Sequence, residues 1–198
     1  MDPLPHLMLT PDSAARVDMA TDLAIPIVAA EGFASVTPRA IAEKAGCSRQ
    51  AVHQWFGDQE GLRRVVARRF TGRWCRWAQI RAGKYGVRGL LPDSDDVLSW
   101  CRVWLGLVEL GARDRAVGDL VASIRRCEQD AVAAALTRSS PSGPLRRPWP
   151  ERALQALVEG LRLQLCHADL AAPGFEGACE VLDHALDAAT PGPPRPLA

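Results

Sequence analysis

Between Ser48 and Trp55 the chain reads S-R-Q-A-V-H-Q-W, which sets hydrogen-bonding groups of several types within about two helical turns. Arg49 carries a planar fork that can donate two parallel bonds to a guanine edge, and Gln50 can bond adenine or a phosphate. Small Ala51 permits close approach or contact with a thymine methyl group, while His53 and Trp55 offer N–H groups to phosphate oxygens. Ser48 and Thr37, each placed to open a helix, can address the same oxygens, and Arg39 adds a cation beside Thr37. Such a set suits recognition of a duplex rather than the making of bonds. The competing reading is an ordinary pair of core helices with a solvated polar face.

The elements that must position these groups are marked by their caps. Thr37-Pro38 opens a helix well, because Thr37 can cap and Pro38 takes the first helical position, where its missing N–H costs nothing. That helix, 38–45, ends at Gly46, and Ser48 caps a second over 49–55. A short slim helix preceded by a positioning helix has the proportions needed to enter a major groove. Upstream, a helix is expected from Ser13 to Glu31, with Pro26 inside it predicted to kink it or start a new turn near Asp22–Leu23. Downstream, Asp58 caps a helix from Gln59 to about Thr71.

Charge separates this region from the rest. The chain has a net charge of +1, yet residues 34–88 hold twelve basic residues against Glu43, Asp58 and Glu60, whereas the flanking segments are each net acidic. An anionic partner for one part of the chain follows. Arg63, Arg64, Arg68 and Arg69 can reach phosphates or form a solvated helix face.

Residues 16–62 resemble the DNA-binding domain of the TetR family of transcriptional regulators. The resemblance is carried by AAEGFASVTPRAIAEKAGCSRQAVHQWFGDQEGL, at Gly32-Phe33, Thr37, Ile41-Ala42, Ala45-Gly46, Ser48, Val52, Phe56 and Leu62. It implies an all-helical, Ω-shaped homodimer whose C-terminal domain binds a small ligand and sets the spacing of two reading heads. Helix 4 of the family often contacts the DNA backbone at its start, where Gln59 stands in place of a common lysine. Gln50, His53 and Trp55 also depart from the usual glycine, tyrosine and His or Tyr.

The organisation expected is therefore all-α: a flexible arm over 1–12, a helix-turn-helix domain over 13–72, a helical ligand-binding and dimerisation domain over 73–190, and a disordered tail over 191–198. Helices are predicted over 73–84, 94–112, 115–137, 151–168 and 174–189, with 139–150 a loop. Trp74, Trp77, Trp100 and Trp104, with Leu107 and Cys127, either line a pocket for an apolar or aromatic molecule or simply fill the core. Glu109, Arg113 and Glu128 either orient a polar group of such a molecule or, as the preferred reading, lie on the surface. Leu154, Leu157, Leu161 and Leu165, with Phe175, Cys179, Leu182 and Leu186, form two stripes suited to an intermolecular four-helix bundle or to the core of one protomer.

Other classes have little support. The six cysteines are scattered singly, and Cys166, His167, Cys179 and His184 match no zinc spacing, so no metal or cofactor is expected. No signal segment or membrane-length apolar run is legible, and a cytoplasmic protein is expected. The sequence thus reads as a non-enzymatic, ligand-responsive regulator, a repressor released from a double-stranded operator by a small effector. Its rivals are a DNA-binding regulator controlled by concentration or a protein partner, and, remotely, an enzyme using a Cys/His site in the helical domain.

Overall fold

Three successive helix starts are closed by their own side chains. Thr37 Oγ1 accepts from the Ala40 amide at 3.1 Å, Ser48 Oγ from Ala51 at 3.1 Å, and Asp58 Oδ1 from Gly61 at 2.7 Å. Each cap satisfies a backbone donor that the helix itself leaves unpaired and contributes about 1 kcal/mol. They begin α2 (Pro38–Ala45), α3 (Arg49–Phe56) and α4 (Gln59–Tyr85). Gly46, at φ 64°, occupies the left-handed conformation that ends α2 and turns the chain into α3.

The computed structural model describes residues 11–139, 149–167 and 174–189. Among them every regular element is helical, the remaining α-helices being α1 (Pro11–Glu31), α5 (Asp95–Gly111), α6 (Arg115–Ser139), α7 (Trp149–Cys166) and α8 (Phe175–Ala189), with short 3-10 turns at Phe33–Ser35 and Val87–Leu90. Most of the arm expected over 1–12, most of the loop over 139–150, and the tail over 191–198 lie outside the described residues.

One expectation needs correcting. The chain does not break at Gly72: α4 runs unbroken through it. An exposed glycine inside a helix costs about 1 kcal/mol relative to alanine. Burial of Phe70, Thr71 and Trp74 on the inward face of the same turns outweighs that cost. At Pro26 the helix assignment of α1 is unbroken, with the proline on the exposed face.

Two buried clusters organise the packing. The first joins α1 to α7 and is built from Ala24, Ile41, Val52, Leu62, Phe70, Trp74, Leu107 and Ile124, among others. The second is distal, with Ala78, Ala82, Leu90 and Leu91 facing Val132, Leu136, Leu154, Val158, Leu161 and Leu182. α4 feeds both, so one rigid rod spans the helix-turn-helix and the helical layer behind it. Leu154, Leu161 and Leu182 are therefore buried inside one protomer, and the stripes of α7 and α8 are partly intramolecular core. Leu157, Leu165, Cys179 and Leu186 are half-buried at the edge of that cluster, while Phe175, with Leu163 and Val181, stays exposed.

Candidate nucleic-acid interface and a buried polar centre

α3 is amphipathic in the sense that a reading helix requires. Val52 and Phe56 are buried, which pins one face to the core. The opposite face exposes Arg49 and His53 in one row and Gln50 and Gln54 in the next, with half-buried Ala51 flanking the glutamine row. Ser48, exposed at the N-terminus of α3, keeps its hydroxyl hydrogen free of the cap bond, in which the oxygen only accepts. Arg39 is exposed and Thr37 half-buried at the start of α2. Trp55 lies to the side: its ring packs edge-on to Phe56 at 6.2 Å and beneath the Arg16 guanidinium of α1 at 5.2 Å.

The cations of α2, α3 and the first half of α4 divide into two groups. Arg63 donates to the carbonyls of Ala34 and Val36, and Gln59 donates to Ala34 at 3.4 Å, so both hold the turn between α1 and α2. Arg64 pairs with Asp114 at 2.7 Å, linking α4 to the start of α6. Arg69 and Arg73 both grip Asp18 of α1, Arg73 at 2.7 Å. These cations serve the fold. Arg39, Lys44, Arg49 and Arg68, by contrast, have no ion-pair partner among the described residues, which leaves their charge available to an anionic surface.

The Arg69 and Arg73 contacts hold the Asp18 carboxyl below its ordinary value, with the Arg69 hydrogen bond the largest cause, and Arg64 does the same for Asp114. A depressed carboxylate stabilises the fold above the unfolded value and loses that contribution as pH falls through the folded one. Wild type should therefore lose stability below about pH 4. Asp18→Asn should flatten this acid limb in urea titrations read by circular dichroism. An unchanged limb would show that the pair contributes nothing, since exposed pairs are individually weak.

Behind this head the tryptophans meet a charge pair. Glu128 and Arg162, 1% and 0% exposed at the side chain, pair at 2.6 Å. Glu128 Oε1 also accepts from Trp74 Nε1 at 2.8 Å, and Arg162 Nε donates to the Leu90 carbonyl at 2.8 Å. The guanidinium lies 5.0 Å from the Trp74 ring and 5.9 Å from that of Trp104. Glu128 is thus core, not surface; Glu109 and Arg113 do form an exposed pair, at 3.4 Å. Trp77 and Trp100 are half-buried neighbours packed at 4.9 Å from Trp74 and 5.5 Å from Phe70. Leu107 is buried within the first cluster, and Cys127 is half-buried beside Cys75.

The six cysteines are free thiols. Burial pushes the Cys101 and Cys127 thiols up to about 12, and neither is poised as a thiolate. Among the described residues no three His, Cys, Asp or Glu side chains gather as a metal set, and no helix is long and apolar enough to cross a membrane.

The helix order, the short α2–α3 pair on an apolar head and the long α4 leading into a helical layer match solved structures over most of their length. A protein from Rhodococcus sp. described as a TetR-family transcriptional regulator superposes with a TM-score of 0.72. The alignment covers 88% of this chain and 98% of that one at 21% identity. The chain has the fold of the TetR-family regulators. A transcriptional regulator from Saccharomonospora viridis in complex with choline shares this TetR fold at a TM-score of 0.75, with 16% identity over 88% of this chain and 96% of that one. The multidrug binding protein EbrR complexed with proflavin follows at 0.57, with 21% identity over 86% and 99%. No protein-family model and no curated protein sequence matches the chain.

Neither Arg162 nor the inward position of Glu128 is marked by any sequence motif. A signal exists nonetheless in the register. Leu154, Val158 and Arg162 follow each other at four-residue steps, as do Ile124, Glu128 and Val132, so each charged residue continues an apolar row. Gly61 was equally silent; a Cβ there would run into the Phe56 carbonyl oxygen, so glycine lets α4 start tightly against the end of α3.

Proposed function

We infer that this protein is a DNA-binding transcriptional regulator, acting as a homodimer and released from its operator by a small molecule. The observation that carries the reading is the exposed face of α3, where Arg49, Gln50, His53 and Gln54 stand on a buried apolar base and Arg49 has no ion-pair partner among the described residues. Residues 13–72 would read DNA, and residues 73–190 would hold the effector and the second copy. A dimer would set two α3 helices about 34–36 Å apart, in successive major grooves.

Coupling is mechanically plain in this architecture. α4 carries Arg63, which holds the α1–α2 turn, and Trp74, which touches the buried centre, on one continuous helix. A ligand that favours another placement of α4 against α6 would move the head and the Arg64–Asp114 link with it. Solved neighbours complexed with choline and with proflavin support the reading that a small molecule is sensed. Repression is the sense of regulation assigned, with the effector weakening operator binding.

Selection of bound duplexes from a random pool tests the reading. Palindromic sites with a fixed half-site spacing are expected, and a pool that shows no enrichment would overturn it. Arg49→Ala should weaken binding to the selected site by roughly 1–3 kcal/mol and relax preference at one base pair of each half-site. Retained preference at every position would remove Arg49 as a base reader. Affinity should also fall with salt, with a slope near −0.9 for each phosphate neutralised.

A further inference from the structure

Cys75 of α4 and Cys127 of α6 are left over once DNA reading and helix packing have been accounted for. Both are free and half-buried, and their thiols hydrogen-bond each other. Cys127 Sγ also lies 3.5 Å from the Cys75 carbonyl oxygen, so its sulfur rests on the backbone of α4. Close approach of the two helices brings the thiols together. One to two turns further on, Ala78 and Ala82 pack with Ala131 and Ala135 in the distal cluster. The α4–α6 seam there opens into a groove of about 190 Å³ lined by Gln79, Gly83, Asp130, Ala131, Ala134 and Arg138. Gln79 follows Cys75 by four residues and Ala131 follows Cys127 by four, so the groove begins about one helical turn from the sulfurs. A Cβ at Gly83 would meet no atom within 4 Å, which leaves room there for a ligand.

The chemistry of the pair selects what it can hold. Burial first, and then the Cys75 thiol and the carboxylates of Glu128 and Asp130, push the Cys127 thiol up to about 12. Burial also pushes Cys75 up. Neither thiol is a ready thiolate nucleophile, which argues against a peroxide sensor. A partner must therefore take the protons itself as it binds. Zinc asks for four ligands, and among the described residues no third His, Cys, Asp or Glu gathers with these two. A linear two-coordinate ion would hold the sulfurs on opposite sides of itself, whereas these thiols touch. A trivalent arsenical with one organic substituent has two exchangeable valences on one side and takes two neighbouring thiols. Its product is neutral, which suits a site under the field of two carboxylates.

We propose that Cys75 and Cys127 form a dithiol site for a monosubstituted trivalent arsenical, whose substituent lies in the α4–α6 groove. With an aryl arsine oxide, two arsenic–sulfur bonds form as the arsenic–oxygen double bond and both S–H bonds break. The two protons leave with the oxide oxygen as one water, and arsenic and sulfur keep their oxidation states. The product staples α4, which carries the head, to α6. This deepens the reading of the helical layer as a sensor and rests on that reading for any effect on DNA.

Intact mass spectrometry of the reduced full chain, without DNA, tests it with phenylarsine oxide as the probe. One equivalent is expected to add with loss of one water. 2,3-Dimercaptopropanol should remove it, and an equal concentration of 2-mercaptoethanol should not. A digest made without reductant should keep the Cys75 and Cys127 peptides joined through one arsenic. Cys75→Ser and Cys127→Ser should each weaken binding at least about a hundred-fold, because the second bond forms within one molecule at high effective concentration. Cys101 and Cys166 are also coupled electrostatically but are more deeply buried, and Cys166→Ser should bind as wild type does. Circular dichroism checks the fold of each variant; if Cys75→Ser does not fold, Cys75→Ala and the wild-type digest still decide. No adduct on folded wild type, an adduct of undiminished affinity on Cys75→Ser, or a digest that joins Cys101 to Cys166 instead would each overturn the proposal. Operator binding is measured separately. An arsenical that binds but leaves the protein on its operator refutes the coupling alone, and a protein that selects no DNA refutes the regulator reading without touching the mass shift.

Discussion

Arg162→Met should lower the free energy of unfolding by about 3–5 kcal/mol, because it leaves the Glu128 carboxylate buried without its counter-charge. Total stability for a chain of this size is of the order of 5–15 kcal/mol, so the variant should sit close to its threshold at 37 °C. The methionine would keep most of the side chain's bulk, and the deficit would therefore be electrostatic rather than a cavity. It would also orphan the Leu90 carbonyl, which accepts from Arg162 Nε.

The control is to remove both charges. In Glu128→Gln with Arg162→Met, the amide oxygen can still accept from Trp74 Nε1, and no net charge remains inside. The double variant should recover part of the loss, so that it is more stable than Arg162→Met alone. Urea unfolding followed at 222 nm of Glu128→Gln, Arg162→Met and the double variant completes the cycle, and the departure from additivity is the coupling of the pair. Strictly additive losses would mean that the two charges do not interact across their 2.6 Å contact, against the geometry. A buried ion pair of this kind is weak evidence for stability in itself, since well-packed hydrocarbon often does as well.

The head was legible in the sequence because its signals are local. A cap, a proline at the first helical position and a left-handed glycine each act within four residues, and Thr37, Pro38, Gly46 and Ser48 sit where the structure uses them. The start of α4 at Asp58 was legible for the same reason. What failed was non-local. Gly72 reads as a stop until the burial of Phe70 and Trp74 against other helices is known. Arg162 carries no local signal, and only the packing of α7 against α6, in register with Leu154 and Val158, carries it inside.

The same distinction governs association. The leucine stripe of α7 mixes residues facing inward with residues at the rim, and spacing alone could not sort them. Leu161 is 5% exposed and Leu182 fully buried, both in the distal cluster, whereas Leu163 is 45% and Val181 44% exposed. Leu161→Asp should therefore unfold the protomer. Losing a buried leucine costs about 2–5 kcal/mol, and an unpaired carboxylate inside adds more. The pair Leu163→Asp with Val181→Asp should keep a cooperative melt close to wild type, since exposed substitutions usually stay within about 0.5 kcal/mol each. If the outer face of α7 and α8 joins two copies, that folded variant should elute as a monomer on sizing chromatography and lose affinity for palindromic sites. It should still bind a single half-site weakly, because α3 and its core are untouched. Dimeric elution of the folded Leu163→Asp/Val181→Asp variant would remove this face as the interface. A folded Leu161→Asp protein would contradict the packing of the distal cluster itself.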